Sequence, residues 1–114
     1  AKIYIGSTSL GPDITPAWLA PSADQMAIKA KIVRGANIAW EAETSLGKLN
    51  RTLQDLVDYV FRCQEFPHGV ILSTGTGIVP PMDVALAAGD IVEINVAGVG
   101  TLTNTVEVIP ERSK

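Results

Sequence analysis

Residues 26–43 alternate between apolar and polar positions. Met26, Ile28, Ala30 and Ile32 share one side, and Lys29 and Lys31 share the other. Arg34-Gly35-Ala36-Asn37 supplies turn chemistry, after which Ile38, Trp40 and Ala42 oppose Glu41 and Glu43. Period two on both sides of a Gly/Asn turn predicts a β-hairpin with one wet face. The period then changes. Leu49, Leu53, Leu56, Val57, Val60 and Phe61 recur at helical spacing, with Asn50, Arg51, Gln54, Asp55 and Asp58 opposite. That predicts one amphipathic helix over residues 49–63, about four turns long. Pro67 and Gly69 stop it.

Residues 69–73 form a short apolar run suited to a buried strand. Residues 86–90 read as a turn. Residues 91–96 and 101–109 read as the last two strands, separated by Gly98-Val99-Gly100. At the other end, residues 2–5 are strand-like. Residues 6–21 read as an ordered loop laid over a surface, with Leu10, Ile14, Trp18 and Leu19 as apolar anchors. Trp18 and Trp40 are expected in the core. The class is α+β: several strands, one helix and many glycine turns.

Composition narrows the function classes. The 114 residues suit one domain, 1–114. The hydrophobic fraction of 46% excludes intrinsic disorder. Net charge is −3 and no basic run exists, so nothing points to nucleic acid. The longest uncharged stretch, 66–82, is broken by Pro67, Pro80 and Pro81, so it is no membrane span. Cys63 is the only cysteine and His68 the only histidine, which excludes an internal disulfide and a Cys/His metal cluster. Cys63 reads as structural rather than nucleophilic. The expected setting is reducing and cytoplasmic.

Ser73-Thr74-Gly75-Thr76-Gly77 is the main candidate site. Its glycines let backbone N–H groups approach an anion closely, and the hydroxyls of Thr74 and Thr76 could donate to a carboxylate or phosphate. It is neither a Walker A loop nor a dinucleotide fingerprint, because no Gly-Lys-Ser/Thr follows and Pro80-Pro81 stands where a helix should start. Pattern alone favours a structural glycine turn. Glu41-x-Glu43 could hold a hard divalent cation, but the alternation places it on the wet strand face. His68 has the pKa of an acid/base, yet stands in a loop without partners in sequence. Taken alone, Lys2 reads as a terminal lysine.

An ensemble of motifs then changes the picture. Ala1-Lys2-Ile3-Tyr4 with Leu10-Gly11-Pro12 comes first, followed by residues 69–77. Leu86-Ala87-Ala88-Gly89-Asp90-Ile91-Val92 and Gly98-Val99-Gly100-Thr101-Leu102-Thr103-Asn104-Thr105-Val106 complete the series. In this order they resemble the C-terminal part of the fumarylacetoacetate hydrolase superfamily, over roughly residues 1–109. Phe66-Pro67-His68-Gly69 and Gly75-Thr76-Gly77-Ile78-Val79-Pro80 look closest to its 2-keto-3-deoxy-sugar-acid dehydratase branch.

The resemblance implies a mixed β-sheet or β-roll with the 49–63 helix packed on it. It also implies a Mg²⁺-dependent enzyme that dehydrates a 2-oxo acid, or cleaves it by C–C hydrolysis, through a stabilised enolate. Lys2 matches the family lysine beside the substrate and is the catalytic candidate. Together with Lys2, residues Thr74, Gly75, Thr76 and Gly77 match the acid-binding turn. The family's metal ligands, a Glu-x-Glu pair and an aspartate, precede that lysine. They are therefore expected outside this sequence, and metal binding is not assigned to Glu41 or Glu43. The expected molecule is a C-terminal portion, inactive alone, that pairs with further copies of itself or with a complementary N-terminal chain. The competing expectation is a non-catalytic domain of that fold which binds a small acid or serves oligomerisation.

Overall fold

The computed structural model describes residues 4–111. Its centre is the expected hairpin. Strand β1 (Ala27–Arg34) pairs antiparallel with β2 (Asn37–Ser45) across the two-residue turn Gly35-Ala36. Gly35 sits at φ 62°, in the left-handed region that glycine enters without a Cβ penalty. Strands β3 (Ile91–Val96) and β4 (Gly100–Thr105) form a second hairpin, and β3 lies antiparallel to β1. The sheet order is β2-β1-β3-β4.

The two faces of the sheet differ as the alternation requires. Ile28, Ala30 and Ile32 align with Val96, Ile94 and Val92 on β3 and with Thr44, Ala42 and Trp40 on β2. Lys29 aligns with Glu43 and Asn95, and Lys31 with Glu41 and Glu93, on the other side. One position departs. The register shifts between Ile32 and Val33, so that Ile38 pairs with Val33. A bulge adds one residue to a strand and exchanges the faces beyond it. Ile38 therefore joins the lysine face instead of the Trp40 face, and is exposed there.

The helix is shorter than its periodicity. It runs over Leu53–Phe61 (α1), after a 3-10 turn at Leu46–Lys48. Thr52 starts it through a reciprocal cap. Asp55 N–H donates to Thr52 Oγ1 at 3.1 Å, and Thr52 N–H donates to Asp55 Oδ2 at 3.3 Å. The cap holds the helix start at 53, so Leu49 lies outside it. The helix does not pack on the sheet as expected, and none of its residues is fully buried.

Several further expectations fail. The 69–73 run is extended and exposed and joins no strand. Apolar character makes such a run suited to burial, but a strand also needs a neighbour for its N–H and C=O groups. Trp18 is 84% exposed and the other loop anchors Leu10, Ile14 and Leu19 are exposed too, whereas Trp40 is half-buried. Cys63 is exposed too, so it fills no core position. The final strand ends at Thr105, not 109. The strand expected over 2–5 lies largely outside the described residues, and Ile5 and Gly6 stand in a turn. No described helix is long and apolar enough to cross a membrane.

Candidate functional site

The Gly-Thr turn faces the end of the first hairpin across a cavity of about 310 Å³. Ile28 and Thr44 of the apolar sheet face form its floor, and Thr74, Gly75, Thr76 and Gly77 form one wall. The opposite wall is Ser45 to Asn50, including Lys48. Local chemistry builds this second wall. Ser45 Oγ accepts from Gly47 N–H at 3.2 Å and opens the 3-10 turn. Leu46 N–H donates to Met26 O at 3.0 Å, which ties that turn back to the start of β1. A Cβ at Gly47 would come within 2.9 Å of Asp24 Oδ1, so glycine there lets the 3-10 turns at 46–48 and 23–25 touch.

The Gly-Thr wall is shaped by its own hydroxyl. Thr76 Oγ1 accepts from Ile78 N–H at 3.0 Å and donates to Ile78 O at 3.2 Å. That hydroxyl holds the turn and is not a free donor. Thr74 Oγ1 makes only a long 3.4 Å contact to Gly75 O and is available to a ligand. The N–H groups of Gly75, Thr76 and Gly77 donate to no acceptor among the described residues. Gly75 has φ 83°. A Cβ at Gly77 would stand 3.3 Å from Thr44 Oγ1, so glycine allows the turn to lie against β2. N–H groups without an acceptor among the described residues, one hydroxyl and a lysine residue in the lining of one cavity suit a small anion.

The structure thus brings together Thr74, Gly75, Thr76 and Gly77. Lys2 lies outside the described residues. Lys48, Ser45 and Asn50 were missed, because a lone lysine after a strand carries no motif. Their signal lies in the serine-led turn at 45–47, which pattern reading passes over as a strand end. His68 is in an exposed turn and lines neither cavity.

Glu41 and Glu43 belong to the opposite side of the sheet. There they border a broader hollow of about 590 Å³ with Lys29, Lys31, Glu93 and Asn95. Lys31 Nζ meets Glu93 Oε2 at 2.8 Å. That hydrogen bond raises the lysine pKa above its usual value, with smaller help from the charges of Glu93 and Glu41. Among the described residues no three His, Cys, Asp or Glu side chains gather where they could hold a metal ion. Glu41 and Glu43 are exposed on the lysine face, where the alternation puts them.

One charged pair is structural. Asp90 is 1% exposed and accepts from Arg34 Nε at 2.9 Å, Arg34 Nη2 at 2.8 Å and Ala87 N–H at 2.9 Å. Arg34 also donates to Ala85 O at 2.9 Å. The Arg34 guanidinium first, then the Ala87 N–H, hold the Asp90 carboxyl down at about 2. This clamp fixes the chain that leaves the Gly-Thr loop to the tip of β1.

The sequence profile described as fumarylacetoacetate (FAA) hydrolase C-terminal matches residues 1–107. The chain belongs to this family. It is 36% identical over 107 residues to the 2-dehydro-3-deoxy-D-arabinonate dehydratase of Saccharolobus solfataricus, covering 94% of this chain and 36% of that enzyme. It is 28% identical over 109 residues to a probable 2-keto-3-deoxyxylonate dehydratase of Haloferax volcanii, covering 96% of this chain and 38% of that protein. Among solved structures, a hexagonal crystal form of 2-keto-3-deoxyarabinonate dehydratase matches 97% of this chain and 38% of its own, with TM-score 0.91 at 34% identity. A 2-keto-3-deoxy-D-arabinonate dehydratase complexed with magnesium and 2,5-dioxopentanoate matches 85% of this chain and 34% of its own, with TM-score 0.80 at 35% identity. The chain spans just over a third of the length of the curated relatives it matches. The α+β class and the dehydratase branch expected from the family member's motifs both stand.

Proposed function

We propose that this chain is the acid-binding, C-terminal portion of a dehydratase acting on a 2-keto-3-deoxy sugar acid, and is inactive without the rest of that fold. The observation that carries the reading is the cavity between the Gly-Thr turn and Lys48, set in a chain 36% identical to an arabinonate-type dehydratase. The N–H groups at 75–77, which have no acceptor among the described residues, and the Thr74 hydroxyl would receive the substrate carboxylate, with Lys48 supplying positive charge from the facing wall. Lys2 would act beside the acid as the catalytic cation. Mg²⁺, bound by a relative with 2,5-dioxopentanoate, would be held outside the described residues of this chain. The exposed single thiol of Cys63 supports a reducing, cytoplasmic setting.

The test is calorimetric titration with oxalate and pyruvate, two small anions that resemble the acid end of such a substrate, each with and without Mg²⁺. Binding to the chain that does not need Mg²⁺ and weakens in Thr74→Val is the expected result. Binding that requires Mg²⁺ in the chain alone would place a metal site within these residues and overturn the division of labour. No binding by the chain, alone or with its complement, would sink the reading.

A further inference from the structure

The cavity beside the Gly-Thr turn holds more polar groups than a carboxylate uses. Ser45 Oγ is committed to Gly47 N–H, and Thr76 Oγ1 to Ile78. Thr74 and Lys48 serve the acid end. Thr44 and Asn50 are left over in the lining, and neither side chain has a hydrogen-bond partner among the described residues. The space is also larger than an acid end needs. A water takes ~30 Å³ of liquid, so a cavity of about 310 Å³ has room for about ten, well beyond the size of oxalate.

Thr44 stands out against its surroundings. Cross-strand partners share a sheet face. Along the rows that cross Ile28, Ala30 and Ile32, every residue is apolar or glycine except Thr44 and Asn104. Asn104 is spent, because its Oδ1 accepts from Ser9 Oγ at 2.9 Å. Thr44 has no such partner. Threonine suits a strand, but valine suits it as well and brings no hydroxyl to an apolar face. Thr44 Oγ1 is also the atom nearest to the position a Cβ would take at Gly77, 3.3 Å away. It therefore stands where the acid-binding turn meets the cavity floor. Asn50 ends the facing wall.

We propose that Thr44 and Asn50 form the subsite for the hydroxylated tail of a 2-oxo acid, and so set a preference for a polyhydroxy acid over an unsubstituted one of the same length. With the carboxylate at residues 74–77, a chain lying across the cavity brings its hydroxyls to these two side chains. Each can both donate and accept, as a hydroxyl does, so each can satisfy the other. An unsubstituted tail would take water from both side chains and return no hydrogen bond. The proposal deepens the acid-site reading and rests on it.

The test is calorimetry on the chain with three acids. 4,5-Dihydroxy-2-oxopentanoate and 2-oxopentanoate share an acid end and a length, and oxalate has no tail. Each neutral hydrogen bond is worth a factor of roughly three to five, so the dihydroxy acid should bind roughly tenfold tighter than 2-oxopentanoate. Thr44→Val and Asn50→Ala should each cut that preference roughly threefold and together abolish it. Oxalate affinity and the urea midpoint should stay unchanged in both variants. Thr74→Val should weaken all the acids alike and leave the preference as it was. Equal wild-type affinity for the two pentanoates, a preference that survives the double substitution, or oxalate binding lost in step with it would overturn the proposal and leave the acid site standing. No binding of any of these acids would overturn the acid site itself, and this subsite with it.

Discussion

Replacing Gly98 by alanine probes the contact between the β3–β4 turn and the end of the 6–21 loop. Gly98 turns the β3–β4 hairpin at φ 78°, and a Cβ there would lie 2.4 Å from Pro21 Cδ and 2.5 Å from Pro21 Cγ. Two costs combine. The left-handed backbone costs alanine about 1–2 kcal/mol. Forcing Pro21 away costs about 1–3 kcal/mol more, as overpacking does elsewhere. Gly35→Ala is the control, because Gly35 has φ 62° and nothing within 4 Å of its Cβ position; it should lose only the backbone cost. With a urea dependence of about 1–3 kcal/mol per molar, the Gly98 variant should unfold roughly 1 M earlier than the Gly35 variant. Pro21→Ala, which removes Cγ and Cδ, should restore most of that difference in the double variant. Equal midpoints for Gly98→Ala and Gly35→Ala, or no recovery in the double variant, would show that Pro21 does not seat on this hairpin.

Three other outcomes follow from the geometry. The Asp90 carboxyl is held down from 3.8 to about 2, so the folded state binds its proton less readily than the unfolded state. Its stabilisation should be complete above pH 4 and should fall away as the pH drops towards 2; Asp90→Asn should flatten that part of an acid titration followed by circular dichroism. Thr52→Ala removes one half of the reciprocal cap and should cost about 1 kcal/mol of helix stability, read as faster hydrogen exchange at Leu56 N–H, which bonds to Thr52 O. Lys48→Met should weaken oxalate binding about tenfold while leaving the unfolding midpoint unchanged, whereas Glu41→Gln with Glu43→Gln should leave oxalate binding as it was.

Local signals of this fold were legible where both partners of an interaction lie close in sequence. The 26–43 hairpin, the wet lysine face and the 91–96 strand all follow from period two and nearby turn residues. The bulge that exchanges Ile38 was hidden, because one extra residue leaves a plausible alternation on either side. Helix periodicity marks an apolar stripe, so it overran Thr52, whose cap is a polar interaction. The failures at 69–73, Trp18 and the packing of α1 share another cause. Each segment is apolar enough for burial but stays exposed among the described residues, because periodicity and composition report burial propensity and not the presence of a neighbour. For the site, the motif located Thr74–Gly77 but could not report that Thr76 is consumed by its own turn or that Lys48 stands opposite.

The Arg34–Asp90 clamp also bears on time and order in the binding loop. It pins the chain at Ala85 and Ala87, downstream of the Gly-Thr turn, while upstream the turn leads back to α1, none of whose residues is fully buried. A segment held firmly at its downstream end and only by light contacts before it samples more shapes before a ligand arrives. Every residue that becomes ordered only on binding subtracts about 1–2 kcal/mol, close to a factor of ten in affinity. The isolated chain should therefore hold its acid weakly and release it fast. Mooring α1 would slow that release without adding a single contact to the ligand.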